Sequence, residues 1–403
     1  MEWGGAAAAW VAPSGMLVLL APMPQAPEVA TVERLPVGAA ADGALPGLHH
    51  LVEHLAFRGD PAAQGIDAQG ALAARGVDAN AWTGREAMAF TTAGDPPALP
   101  LALWFHAVRG VDPALDAAAL GREARIIAQE EAGRPASARR ADALRAVLLP
   151  EAHPLRADIL GDAAALGSWE PAAIREAAAG LRGGPGAVLV VAGPLDAASV
   201  EAAWAAGTGE ALQPVAVPAA PRTAGAAAAG PLARGTGRTV ALGPGERGLH
   251  LLWEAVPEGH PAAPAFDVLA RRLPGRLPAR WQPTASAESH PSAGLFALSL
   301  HDPPRAARAH RVVRRALRAE AAAAAATGPE VAALIGAFAG QIATPAGRAE
   351  ALAGCAARGV AADCFDRVAE AWAAVDGPAL QAAAAALHAS PPAVGLPGRG
   401  RPR

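Results

Sequence analysis

Tyrosine is absent from the 403 residues, and lysine is absent as well, so every basic side chain is an arginine. Alanine and glycine dominate instead, a bias that reads as base composition more than as a functional signal. Cysteine occurs twice, at 355 and 364. Two cysteines exclude a disulfide framework as the organising principle of so long a chain. Nine residues apart in a helical stretch, Cys355 and Cys364 are expected to be buried or indifferent thiols, which suits a reducing compartment. Long apolar runs are also missing. Met16 to Ala21 is too short for a signal segment or a membrane span, and the alanine run 321–326 is flanked by charge and glycine. No membrane is expected as partner, and the cytoplasm is the default location. The formal net charge is −3, which gives no reason to expect nucleic acid or an anionic surface either.

The length allows two or three domains. Short apolar or alternating runs predict strands at 16–20, 29–37, 77–92, 187–192, 239–242, 249–256 and 295–301. Helical patterns fall at 47–57, 63–75, 99–108, 114–132, 142–149, 171–181, 197–206, 266–272, 306–326, 329–342, 348–358 and 365–373. Strands and helices are mixed without strict βαβ alternation, which points to an α+β protein. Residues 207–237, rich in Ala, Pro and Gly, read as a linker. The expected division is therefore 1–206 as one α+β domain, 207–237 as linker, 238–389 as a second α+β domain and 390–403 as a disordered tail. The second part repeats the strand-then-helix order of the first, which suggests two related halves.

The chemistry concentrates at His50-Leu51-Val52-Glu53-His54. On a helix, positions i, i+3 and i+4 share a face. Two imidazoles four residues apart can therefore bind one Zn2+, and the carboxylate between them stands beside the metal as a general base toward the attacking water. This order, reversed from His-Glu-x-x-His, is the inverzincin arrangement. A hydrolytic site wants a third protein ligand and an open position. Glu130 is the candidate, with Glu123 seven residues earlier on the same helix face placed to orient a ligand. Glu131 points about 100° away and is a poorer choice. His49 is expected to be a structural neighbour. The other histidines (106, 153, 250, 260, 290, 301, 310, 388) form no ligand spacing.

With these residues in view, the sequence resembles the pitrilysin/insulinase-type zinc metallopeptidases, in particular the short two-domain branch that includes the mitochondrial processing peptidase and bacterial relatives. The segment Gly47 to Gly59 is similar to that family's zinc helix, and Glu130 follows His54 by 76 positions, the branch's spacing for its third ligand. Glu123 falls on the family's supporting Glu. Gly76-Val-Asp-Ala-Asn-Ala-Trp-Thr83 resembles the family's substrate-edge strand, and His153 to Gly161 and Val188 to Gly193 resemble later landmarks. The resemblance spans about residues 12–205. It implies two halves, each a mainly antiparallel sheet packed with helices, forming a clamshell around a chamber. It also implies one Zn2+ per chain and an extended peptide added as a strand, with Asn80 and Ala81 holding its backbone.

The second half departs from the pattern. Active members supply an Arg and a Tyr from there toward the substrate carbonyl, and no Tyr exists here. Arg276 and Arg280 stand in the corresponding stretch without a recognisable motif. The expected function is a zinc endopeptidase acting on extended peptides or unfolded segments. The alternative is a weakly active or inactive peptide-binding subunit that scaffolds a related chain, so pairing as a homodimer or heterodimer is open.

Overall fold

The structure, a computed structural model, describes residues 3–57, 67–109, 115–166, 168–179, 183–219, 237–243, 246–322 and 327–398. Its strands are β1 (Ala8–Val11), β2 (Leu17–Pro22), β3 (Val29–Leu35), β4 (Asp78–Thr83), β5 (Met88–Gly94), β6 (Val188–Gly193), β7 (Gln213–Val215), β8 (Thr239–Leu242), β9 (Leu249–Ala255), β10 (Pro283–Ser289), β11 (Gly294–Leu300) and β12 (Ala393–Pro397). Its helices are α1 (Leu48–Leu55), α2 (Ala68–Ala73), α3 (Leu99–Val108), α4 (Ala117–Gly133), α5 (Ala136–Leu148), α6 (Ala163–Leu166), α7 (Pro171–Ala179), α8 (Ala197–Thr208), α9 (Ala263–Arg272), α10 (Ala306–Ala322), α11 (Gly328–Ile342), α12 (Pro345–Ala356), α13 (Cys364–Ala373) and α14 (Gly377–Ala389).

The strands form two sheets, ordered β4-β5-β3-β6-β2-β1-β7 and β10-β11-β9-β12-β8. In the first, only β2 and β6 run parallel. In the second, only β8 and β12 do. The five strands β2 to β6 and the five strands β8 to β12 share one chain order and one pattern of directions. The halves suspected from the strand-then-helix order are therefore repeats of a single mixed, mainly antiparallel sheet. All six residues of β6 are buried, so this strand is covered on both faces, as its unbroken apolar run requires.

A buried polar network crosses the first core. Glu33 on β3 is fully buried. It accepts hydrogen bonds from Arg109 Nη2 at 2.7 Å and from the nearer Nη1, and pairs with His106 Nδ1 at 2.9 Å. His106 Nε2 reaches Thr31 at 2.7 Å, and Thr31 bonds Thr92. Burial opposes the Glu33 charge, but Arg109 and the hydrogen bonds outweigh it and hold its pKa below the usual carboxylate range. Such a charge is tolerated only with its partners in place.

The compact units are interleaved along the chain, unlike the expected division at 206 and 238. One comprises 1–133, 157–221 and 338–367, and the other 134–156, 222–337 and 368–403. α5 belongs with the second sheet because its apolar stripe, Leu144 and Leu148, packs with Leu252, Leu295 and Ala393. α12 returns to the first sheet, against β3 and β6. The expected linker contributes β7 from its start, and its residues 220–236 lie outside the described residues. The expected tail is not all disordered, since β12 pairs with β8 and β9, while residues 399–403 lie outside the described residues.

The cysteines also differ from expectation. Cys355, in α12, and Cys364, at the start of α13, are joined in a disulfide. Both are buried, and the turn between the helices brings their Cα atoms to 5.9 Å, a separation a disulfide spans. The free thiols that pointed to a reducing compartment are thus absent. Among the described residues, no helix is long and apolar enough to cross a membrane.

Candidate metal centre

α1 begins at Gly47, whose φ of 92° favours glycine. A Cβ there would meet the Leu160 carbonyl oxygen at 2.6 Å, so the 160–161 turn fixes the entry of the helix. No side chain of Gly47 can cap the first turn. Asp42 does so from the preceding loop, with Oδ2 accepting from the Gly47 N–H at 2.6 Å and Oδ1 from the His49 N–H at 3.0 Å. Asp42 Oδ1 also holds His49 Nδ1 at 2.5 Å. His49 is thereby a neighbour that anchors the helix, while His50, one residue on, faces the site. Leu48, Leu51, Val52 and Leu55 are buried, and their burial orients the polar face of α1.

α4 presents a stripe at 120, 123, 127 and 130. Leu120, Glu123 and Ile127 are buried, and the stripe ends at Glu130, whose side chain is 43% exposed. Packing of the first three residues carries Glu130 to α1. His50 Nε2 lies 3.5 Å from Glu130 Oε2, and His54 Nε2 lies 3.5 Å from Glu130 Oε1. One ligand atom from each of His50, His54 and Glu130 lies within 4.8 Å of the others. Ligands about 2 Å from one tetrahedral ion stand roughly 3.3–3.5 Å apart, so the spacing and the two-nitrogen, one-oxygen donor set fit a metal ion with a fourth position left open. Of the expected ligands, all three converge.

The protonation of His50 suits this. Burial, and then the neighbouring His54, lower the His50 pKa to about 4, so the ring is neutral and its Nε2 can donate to a metal. His50 Nδ1 is buried and has no hydrogen-bond partner among the described residues. His54 Nδ1 stands 3.3 Å from Glu123 Oε2. A proton on Nδ1 donated to Glu123 leaves the Nε2 lone pair free toward Glu130. For His54, burial works against the charge, but Glu123, Glu130 and Glu53 outweigh it and raise the pKa.

Glu53 stands outside the three-ligand group. Its Oε2 accepts a short hydrogen bond from the Thr83 hydroxyl. Burial, the largest influence, raises its pKa, partly offset by Thr83 and His54. A carboxylate with raised proton affinity beside a metal cluster is suited to proton transfer. Thr83 closes β4, where Asp78, Asn80 and Trp82 are exposed and Ala79, Ala81 and Thr83 turn half-buried toward α1. β4 is an end strand of its sheet. Asn80 Oδ1 accepts from the Ala81 N–H at 2.9 Å, so the two residues assigned to substrate are coupled on that strand. The contacts of Asp42 with α1 and of Thr83 with Glu53 were not anticipated from the sequence. Asp42 gave no signal because it caps from a loop, six residues ahead of the first helical residue. Thr83 could have been found from the alternation of β4, which puts it on the Ala81 face.

In the second half, Arg276 Nε is 2.5 Å from Glu320 Oε1, and the Arg280 guanidinium lies 6.0 Å from the Trp281 ring.

Residues 20–148 match the sequence profile of the insulinase family (peptidase family M16). No curated protein matches the chain. Among solved structures, a protease from Helicobacter pylori is similar at 13% identity with a TM-score of 0.76, covering 98% of this chain and 100% of that one. The peptidase M16 inactive domain from Pseudomonas fluorescens is similar at 14% identity with a TM-score of 0.72, covering 98% of each. Residues 20–148 are accordingly similar to the insulinase family in sequence, and the two-sheet fold is shared over the chain's length with these solved structures.

Proposed function

We propose that the chain is a zinc endopeptidase acting on extended peptides or unfolded segments, with its catalytic site in the first compact unit. The observation that carries this reading is the convergence of His50, His54 and Glu130, with Glu53 beside the cluster and outside it. Those three residues would hold one Zn2+, which when bound supplies Lewis acidity toward water and the peptide carbonyl. Glu123 orients His54 through Nδ1. Glu53 takes a proton from the attacking water and passes it to the leaving amine, and Thr83 fixes the carboxylate for that transfer. The peptide lies along β4 as an added strand, its backbone held at Asn80 and Ala81. The Asn80 side chain already occupies the Ala81 N–H, so peptide binding exchanges that bond for one to substrate.

A second reading is a peptide-binding subunit with little or no activity. It is favoured by the lack of any tyrosine and by the likeness to an inactive M16 domain. Purified chain loaded with zinc, assayed on a quenched peptide library, separates the two. The proposal expects cleavage, and a fall of about 10²–10⁴-fold for Glu53→Gln. Equal cleavage by both proteins sinks the mechanism. Peptide binding without cleavage, with activity restored only by a related chain, establishes the second reading.

A further inference from the structure

α10 carries six arginines at 305, 308, 311, 314, 315 and 318 on the helix and its first flank. All six are exposed. None makes an ion pair or a hydrogen bond with another described residue. The opposite face is the second core, where Ala309, Val313 and Leu317 are buried. The carboxylates of this segment do not neutralise the stripe. Glu320 is buried and bonded to Arg276, and Asp302 precedes the helix. Arginines at 308, 311, 315 and 318 follow one another at three and four residues, so they form a straight line about 15 Å long at 1.5 Å per residue. Like charges at these spacings destabilise a helix. A chain with 37 acidic residues and a net charge of −3 nevertheless places none of them on this face.

We propose that this face docks an acidic polypeptide segment, rich in Glu or Asp, on a partner protein. Guanidinium groups pair with carboxylates in a bidentate fork. The line of four arginines repeats at the intervals at which carboxylates recur on one face of an acidic helix. Nucleic acid fits less well. A line of about 15 Å meets few phosphates, and no aromatic side chain stands on the stripe to stack on bases. An anionic membrane also fits less well, because the apolar face of α10 is spent in the core and cannot insert.

The test uses the full chain and a labelled peptide of about twenty glutamates, followed by fluorescence anisotropy at low salt. Binding is expected, weakened by added salt, and at least tenfold weaker in the quadruple variant Arg308→Gln, Arg311→Gln, Arg315→Gln, Arg318→Gln. The corresponding Arg→Lys variant, which keeps charge and loses the fork, is expected to fall in between. The glutamine variant should unfold no earlier than wild type, since it relieves like-charge repulsion, so lost binding reports the face and not the fold. Absence of peptide binding, equal binding by the glutamine variant, or tighter binding to single-stranded DNA of equal charge or to phosphatidylserine vesicles overturns the proposal.

Discussion

At the scale of single residues, the proposed zinc site depends on side chains that would not touch the ion. Glu123 stands 3.3 Å from His54 Nδ1, and Asp42 caps the helix on which both histidines stand. Partners of this kind are worth about 10–100-fold in metal affinity. Glu123→Ala is therefore expected to weaken zinc binding by that factor while leaving far-ultraviolet dichroism unchanged, as titration against a competing chelator would show. Unchanged affinity would mean that His54 is oriented by α1 alone. The grouping of His50, His54 and Glu130 was legible in the sequence because helix periodicity is a local rule. The spacing of 50, 53 and 54 fixes their shared face, and the stripe 120–123–127–130 fixes that of Glu130. Asp42 was not legible, because its role depends on how a loop folds back over a helix start.

At the scale of elements, large apolar side chains decided what could be read. β2, β3, β6, β9 and β11 carry such side chains in runs or alternation and were anticipated. β10 has the sequence Pro-Thr-Ala-Ser-Ala-Glu-Ser and β12 has Ala-Val-Gly-Leu-Pro. Small residues, Gly and Pro give such segments no strand signal, and they are strands because a neighbour offers a free edge. The Glu33 network shows a stricter dependence between elements. Glu33 on β3 keeps its buried charge chiefly because Arg109, just past the end of α3, answers it, with His106 as second partner. Arg109→Leu leaves that charge uncompensated, and urea unfolding is expected to show a loss of about 3–5 kcal/mol. The sign of the pH dependence follows. A folded pKa held below the unfolded one gives stability that is present above the unfolded value, near 4.5, and lost as pH falls toward the folded value. The wild type should therefore lose this contribution in acid. The variant's stability at acid pH should come closer to that of the wild type, and a constant difference across pH would contradict this account.

At the scale of the whole molecule, two copies of one sheet topology share a chain, and among the described residues the group His50, His54 and Glu130 lies in the first. The segment 338–367 belongs with the first unit although it lies far along the chain. Within it, α12 packs on β3 and β6, and the disulfide between Cys355 and Cys364 ties the end of α12 to the start of α13. Closing so short a loop contributes about 2–3 kcal/mol by restricting the unfolded chain. Cys364→Ser should lower stability by that amount in an unfolding titration, and added reductant should lower the wild type to the same level. No difference between oxidised and reduced protein would show that the bridge adds nothing.

The central claim is that His50, His54 and Glu130 together hold one zinc ion. It is tested most directly by equilibrium dialysis of the purified chain against Zn2+ at neutral pH, followed by metal analysis. One zinc per chain is predicted for wild type and for Glu53→Gln, with retention lost in His50→Ala and Glu130→Ala. A wild type that retains no zinc, or a His50→Ala variant that retains as much, would contradict the account.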